Sequence, residues 1–332
     1  ITLKAKDGTT VVARTIEWAA SDNECRWVVV PRGHTWKSFI PGGGTGRSFT
    51  NEYGYVGVAV VQDELMMEGM NEKGLSAGLF YFPDYGKYEE YSESNFDSNI
   101  SDFQLVSYIL GRCATIEEVK AEIAKVHIHG FDPRSSTVHW RFAEPSGRQI
   151  VLEIIDGKCV FYENTVGVLT NSPSFDWQLT NLNNYVNLLP GRIEPHTLGN
   201  MSLSSFGGGS AMLGLPGDFT PPSRFVRAAF FQNTAPVKPN AEESALQAFH
   251  ILGSMEIPIG AQFAQGQEPA DIPSATQCTC VSDMSGLNFY YRSMYDGGIR
   301  CIDLKEINFK KVGLRSEPLI PAKKEFVHYI KF

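Results

Sequence analysis

Apolar positions along this chain fall into two rhythms. Short runs rich in Val, Ile and aromatic residues read as strands. Val11, Val12 and Ile16 form one such run, entered from an Asp7-Gly8 hairpin signal, and it places Arg14 on a strand. Trp27–Pro31, Tyr53–Val61 and Leu75–Phe82 are further strands, and Gly69-Met70-Asn71-Glu72-Lys73-Gly74 between the last two reads as a turn. Val138–Phe142, Ile150–Ile155 and Cys159–Glu163 read as a meander turning at Asp156-Gly157. Cys278–Val281, Phe289–Ser293 and Ile299–Leu304 are late strands.

Helical spacing governs the remainder. Asp102–Arg112 carries Phe103, Val106 and Ile109 on one stripe. Thr115-Ile116-Glu117-Glu118 is a capping box opening a helix with Ile116, Val119, Ile123 and Val126 on one face. Ser174–Asn187, Pro222–Phe230 and Glu242–Leu252 are helix candidates, the last entered by Asn240 with Glu243 three residues on. The order of strands, helices, strands, helices, strands predicts an α+β fold with stacked antiparallel sheets and helices outside. No linker-like stretch or internal repeat divides residues 1–332, which points to one domain.

Composition narrows the chemistry. The chain is 42% hydrophobic and 20% charged, with a net charge of −8. That balance argues against a basic nucleic-acid footprint, and an acidic substrate would need local Arg residues and apolar contacts to hold it. The longest apolar run, Tyr55–Val61, is too short for a membrane-spanning helix. The six cysteines, Cys25, Cys113, Cys159, Cys278, Cys280 and Cys301, are too sparse for a disulfide scaffold and read as buried free thiols. Pro41-Gly42-Gly43-Gly44-Thr45-Gly46 lacks the ending of a phosphate-binding loop and reads as a mobile surface loop near a pocket mouth.

No nucleophile elbow, zinc-protease motif or P-loop is present. His127 and His129 share one strand face with no matching ligand nearby in sequence, and read as structural or surface groups rather than a metal pair. His139 reads as a satisfied core histidine. Four polar residues stand out in apolar surroundings: Arg14, Glu17, Asn171 at the end of Gly167-Val168-Leu169-Thr170, and Arg224 at a helix start. Arg and Asn need partners when buried, so together they suggest a site.

Four stretches carry a resemblance. Ala13-Arg14-Thr15-Ile16-Glu17-Trp18, Gly69–Leu75, Leu169-Thr170-Asn171-Ser172-Pro173 and Gly214-Leu215-Pro216-Gly217-Asp218-Phe219-Thr220-Pro221-Pro222-Ser223-Arg224-Phe225 resemble the choloylglycine hydrolase family. This family holds bile salt hydrolases and penicillin V acylases, which are N-terminal nucleophile hydrolases. The resemblance runs nearly end to end and implies a four-layer αββα sandwich, commonly a homotetramer, with neither metal nor organic cofactor.

It also implies a catalytic Cys exposed as the first residue of the mature chain, expected about three residues before Ile1, where its own α-amine serves as general base. A thiol of pKa about 8.5 beside an amine of about 8 needs no histidine. None of the six cysteines present can take its place, because the chemistry needs the free amine on the same residue. In this resemblance Arg14 favours the thiolate and Glu17 occupies the family's usual Asp position. Asn171 and the backbone N–H of Tyr81 form the oxyanion hole, and Arg224 braces the network. Tyr81 favours a penicillin V acylase. Glu17, Trp18 and Gly78–Pro83 look more like the bile salt hydrolases of gut Gram-negative bacteria, and this is the expected function. Met66, Met67, Phe80 and Phe131 are candidates to line the steroid side of a conjugated bile salt, with core or loop packing as the alternative for each. A binding protein on the same fold without a nucleophile is a third reading. A leader-processed periplasmic or secreted protein is expected, with the cytoplasm as the alternative.

Overall fold

The structure, a computed structural model, describes residues 1–132, 135–325 and 327–332. The first half of the chain is mostly β. Its strands are β1 (Thr2–Lys4), β2 (Thr10–Glu17), β3 (Arg26–Val30), β4 (Thr35–Phe39), β5 (Thr45–Thr50), β6 (Tyr55–Ala59), β7 (Met66–Asn71) and β8 (Ser76–Tyr81). Short β9 (Asn99–Ser101) leads to helices α1 (Leu105–Arg112) and α2 (Ile116–Ile123). Then come β10 (His127–His129) and the meander β11 (Val138–Ala143), β12 (Gln149–Ile155) and β13 (Lys158–Glu163).

The second half holds α3 (Phe175–Asn181), the hairpin β14 (His196–Leu198) and β15 (Met201–Leu203), α4 (Pro221–Thr234) and α5 (Ala241–Gly253). Strands β16 (Thr276–Asp283), β17 (Asn288–Ser293), β18 (Asp296–Asp303) and β19 (Arg315–Pro318) complete it.

Two antiparallel sheets form the centre. One has eight strands in the order β13-β12-β11-β8-β7-β6-β3-β19, the other five in the order β1-β2-β16-β17-β18. Three apolar clusters show the layering. Ile109, Leu110, Ile116 and Val119 of α1 and α2 pack on the eight-stranded sheet. Phe225, Ala245, Ala248 and Phe249 of α4 and α5 pack against Val11 and Ala13. Val12, Ile16, Val56, Val58 and Phe289 fill the space between the sheets. Strand β2 shows the logic: odd positions meet the helices and even positions meet the other sheet, so nearly every residue is buried. The stacked antiparallel sheets read from the sequence, and the four-layer αββα arrangement that the resemblance implies, are therefore present.

Local signals set the helix starts. Thr115 accepts from Glu118 N at 3.2 Å, and Asn240 accepts from Glu243 N at 2.9 Å. Strands β4, β5, β7, β9, β14, β15 and β19 escaped the sequence reading. Gly42–Gly44 is the exposed connection of the β4–β5 hairpin, Thr45 and Gly46 open β5, and none of them lines the functional cleft. Gly69, Met70 and Asn71 belong to strand β7, and only Glu72–Gly74 turns. Gly69 is there for close approach, because a Cβ at this position would stand 2.8 Å from both Leu110 Cδ1 and Val56 O. Cys159 and Cys301 are exposed rather than buried, because each lies on an outer strand of its sheet.

Candidate active site

Arg14, Glu17, Asn171 and Arg224 come together. They line one cleft with Ile1, Ala13, Thr15 and Phe80, closed on its helical side by Ala228 of α4 and by Leu252 and Met255. Arg14 and Glu17 lie on β2, an interior strand between β1 and β16, and Asn171 and Arg224 reach the same cleft from the loop before α3 and the first turn of α4.

Arg14 is held by backbone. Its Nε donates to Thr15 O at 3.0 Å, and Nη1 donates to Met67 O at 3.2 Å and to Leu79 O. The guanidinium lies over the Phe80 ring, 3.9 Å from its centroid. Burial lowers the Arg14 pKa from its ordinary value, opposed by the charges of Glu68 and then Glu17. Glu68 is itself buried in an ion pair with Arg141. No carboxylate lies within ion-pair distance of Arg14 among the described residues. A fixed, undercompensated cation bordering a cleft lowers the pKa of a thiol and stabilises an anion.

Asn171 is clamped from both sides of its amide. Nδ2 donates to Tyr81 O at 2.7 Å, while Oδ1 accepts from Arg224 Nη2 at 2.7 Å. One Nδ2 proton is left for another acceptor. The Tyr81 N–H faces the same edge. Phe82 N donates to Thr137 O at 2.8 Å, and Tyr81 sits opposite Val138 one step back along the ladder. Alternation in an antiparallel pair then turns the N–H and C=O of Tyr81 away from β11, toward Asn171.

The Gly214–Phe225 segment builds the brace. Asp218 accepts from Thr220 N, Thr220 Oγ1 and Ser223 Oγ at 2.9, 2.5 and 2.6 Å, fixing the entry into α4. Hydrogen bonds from Ser223 and then Thr220 pull the Asp218 carboxyl down to about 2. Arg224 Nε donates to Phe219 O at 2.9 Å, which aims Nη2 at Asn171. Burial lowers the Arg224 pKa, opposed by Glu17.

Glu17 Oε1 accepts from Thr276 Oγ1 at 3.4 Å. The ladder reaches the start of the chain, where Ile1 and Ala13 exchange backbone hydrogen bonds of 2.8 and 2.9 Å.

The steroid-side expectations fare differently. Phe80 lines the cleft. Met66 is fully buried in the core beneath α1, because it opens a strand whose inner face is apolar. Met67 contributes its carbonyl to Arg14, and its side chain packs into the core. Phe131 packs at a tilt against Phe39, with a centroid distance of 5.0 Å, and meets Phe103 at 6.3 Å, away from the cleft lining. Apolarity alone does not separate a pocket wall from a core.

His139 is a satisfied core histidine. Its nitrogens face Glu153 Oε1 and Thr170 O, both at 3.1 Å, and Phe175 N donates to that same carboxylate oxygen at 2.9 Å. This buried relay supports the residue preceding Asn171, a role no sequence signal announced. His127 is partnered by Asn99 at 2.8 Å and Glu89 at 3.0 Å. Among the described residues no group of three His, Cys, Asp or Glu could hold a metal ion. No described helix is long and apolar enough to cross a membrane.

Stacked sheets with helices outside thus enclose a cleft beside the first strand that holds two guanidiniums and an amide, groups suited to stabilising an anion. Residues 1–317 match the model of the linear amide C–N hydrolases, choloylglycine hydrolase family, and the chain belongs to that family. It is 31% identical over 315 residues to a bile salt hydrolase/transferase of Clostridium perfringens, covering 93% of this chain and 92% of that one. A solved mutant of the conjugated bile acid hydrolase from Clostridium perfringens superposes with a TM-score of 0.85 at 27% identity, covering 100% of this chain and 99% of that one. A penicillin V acylase from Agrobacterium tumefaciens superposes with a TM-score of 0.75 at 25% identity, covering 96% and 90%.

Proposed function

We propose that this chain hydrolyses the amide bond of glycine- or taurine-conjugated bile salts, using an N-terminal Cys that precedes Ile1. The observation that carries the reading is the convergence of Arg14, Glu17, Asn171 and Arg224 in one cleft beside the first strand. Strand register supports the place of the nucleophile: continued along the ladder from Ile1 opposite Ala13, the third residue back would lie opposite Ile16, between Thr15 and Glu17 of the cleft.

The cysteine's α-amine takes the thiol proton, and the thiolate attacks the amide carbonyl carbon. Glu17 orients that amine. The remaining Nδ2 proton of Asn171 and the Tyr81 N–H donate to the oxyanion. Collapse breaks the C–N bond, and the ammonium returns its proton to the departing glycine or taurine. Water then attacks the acyl-enzyme thioester, releases the bile acid and restores the thiol. Arg14 favours the thiolate and offers a cation beside an acidic substrate.

The bile salt hydrolases give higher structural similarity than the penicillin V acylase, which supports the steroid substrate. Penicillin V is the second reading, favoured by Tyr81 at the oxyanion position. Steady-state kcat/KM for taurocholate and penicillin V on the native chain separates them. Preference for penicillin V overturns the first reading. An intact-mass measurement showing no Cys before Ile1 overturns both and leaves a binding protein.

A homotetramer is proposed as the assembled form. It is supported by the exposed arm from Val186 to Leu213, where Leu198, Met201 and Phe206 face solvent, an apolar area monomers rarely leave uncovered.

A further inference from the structure

The ladder between β2 and β16 is irregular at one place. Thr276 lies opposite Glu17 and Cys278 opposite Ile16, so Gln277 is the extra residue of a bulge. Bulges beside active sites re-aim a side chain. Here the side chain is a buried amide, 2% exposed, whose hydrogen bonds all go to the loop after Glu17. Nε2 donates to Trp18 O at 2.7 Å and Ser21 O at 3.4 Å, and Oε1 accepts from Asn23 N at 3.1 Å. One amide therefore ties both ends of residues 18–23 to the strand that pairs with β2.

Little packing stands behind this loop. Glu17 borders the cleft on one side. On the other, Asp22, Glu24, Cys25 and Gln277 itself border a separate cavity of about 240 Å3. As other polar anchors, Trp18 N donates to Ala275 O at 2.8 Å, and the Asp22 carboxylate accepts from Tyr295 Oη at 3.0 Å and pairs with Lys323 Nζ at 3.1 Å. Gln277 alone among these reaches three loop residues. The loop begins with Trp18, which follows Glu17 in the chain and is 49% exposed, an apolar surface for the bulky part of a substrate.

We infer that Gln277 is a positioning residue for substrate binding: it holds residues 18–23, and with them Trp18, at the rim of the cleft. It acts on the apolar portion of the substrate rather than on the bond being broken. The inference rests on the amide-hydrolase reading of the cleft.

The test uses the native chain with Gln277→Ala and Gln277→Glu, the second keeping side-chain length and an acceptor for Asn23 N. Losing the bonds to the Trp18 and Ser21 carbonyls is expected to raise KM for taurocholate about tenfold while kcat stays within about twofold. Hydrogen exchange at residues 19–23 is expected to quicken at least about tenfold while β2 and β16 keep their protection. Unchanged loop exchange, or a lower kcat at constant KM, overturns the inference. A wild-type chain inert toward taurocholate overturns the functional reading instead. Both readouts then pass to penicillin V with the same expected and overturning results.

Discussion

Arg224 Nη2 donates to Asn171 Oδ1 at 2.7 Å, and this bond decides which way the Asn171 amide faces. With the oxygen held by a guanidinium, Nδ2 is left to bond Tyr81 O and to point its second proton at the cleft. Asn171→Ala is expected to lower kcat roughly 100- to 1,000-fold, the usual cost of one oxyanion donor. Arg224→Met keeps the donor but frees its orientation, so a smaller fall in kcat with little change in KM is expected. Steady-state kinetics of both variants checks this, and an Arg224→Met loss larger than that of Asn171→Ala would contradict the order of dependence.

Arg14 is fixed by three backbone carbonyls, none of which neutralises its charge. Arg14→Met removes the cation, and the pKa of the proposed N-terminal thiol is expected to rise by roughly 1 to 3. The readout is the pH dependence of iodoacetamide labelling of the N-terminal peptide, followed by mass. The same variant strands the Met67 and Leu79 carbonyls in a buried place and is expected to cost about 1 to 3 kcal/mol of stability. A thermal melt separates that loss from the reactivity change.

Much of this site was legible because its residues break local expectations. Arg14 in a Val-rich strand, Asn171 ending an apolar run and Arg224 at a helix start all needed partners: the fold pairs Asn171 with Arg224 and gives Arg14 three backbone carbonyls. Gln277 was invisible: an amide in Thr-Gln-Cys-Thr is unremarkable until the bulge turns it onto the loop. Strand β7 was lost for a similar reason. Its Gly69 serves close packing of α1 and β6, whereas a lone sequence offers glycine mainly as a turn signal. Met66 and Phe131 show the limit of hydrophobicity, which reports burial without saying against what.

Asp102 is buried at the foot of α1, where Oδ1 accepts from Phe103 N at 2.9 Å, Phe131 N at 3.0 Å and Ser101 Oγ at 3.2 Å. Burial pushes its carboxyl up to about 7, against the opposing pull of those hydrogen bonds. The folded chain therefore binds a proton more tightly than the unfolded one, whose carboxyl titrates near 4. Stability from this group is full below pH 4 and declines as pH rises from about 4 to about 7. Asp102→Asn keeps the acceptor oxygen and removes the charge. It is expected to raise the urea midpoint at pH 8 and leave it nearly unchanged at pH 4. A gain of equal size at both pH values would contradict the assignment.

The arm beyond α3 makes the last prediction. Its hairpin pairs His196–Leu198 with Met201–Leu203, yet Leu198 is 70% and Met201 65% exposed. A two-stranded hairpin is marginal on its own in water, so a covering surface is needed to hold it. If a second copy of the chain supplies that surface, replacing both residues with Glu places charges where apolar contact is required. Leu198→Glu combined with Met201→Glu is expected to convert the proposed homotetramer to smaller species by light scattering. The cleft residues lie on β2, the loop before α3 and the first turn of α4, outside the hairpin, so labelling of the N-terminal cysteine is expected to persist. A double variant that keeps the wild-type mass in solution would show that the arm is covered by something other than its own kind.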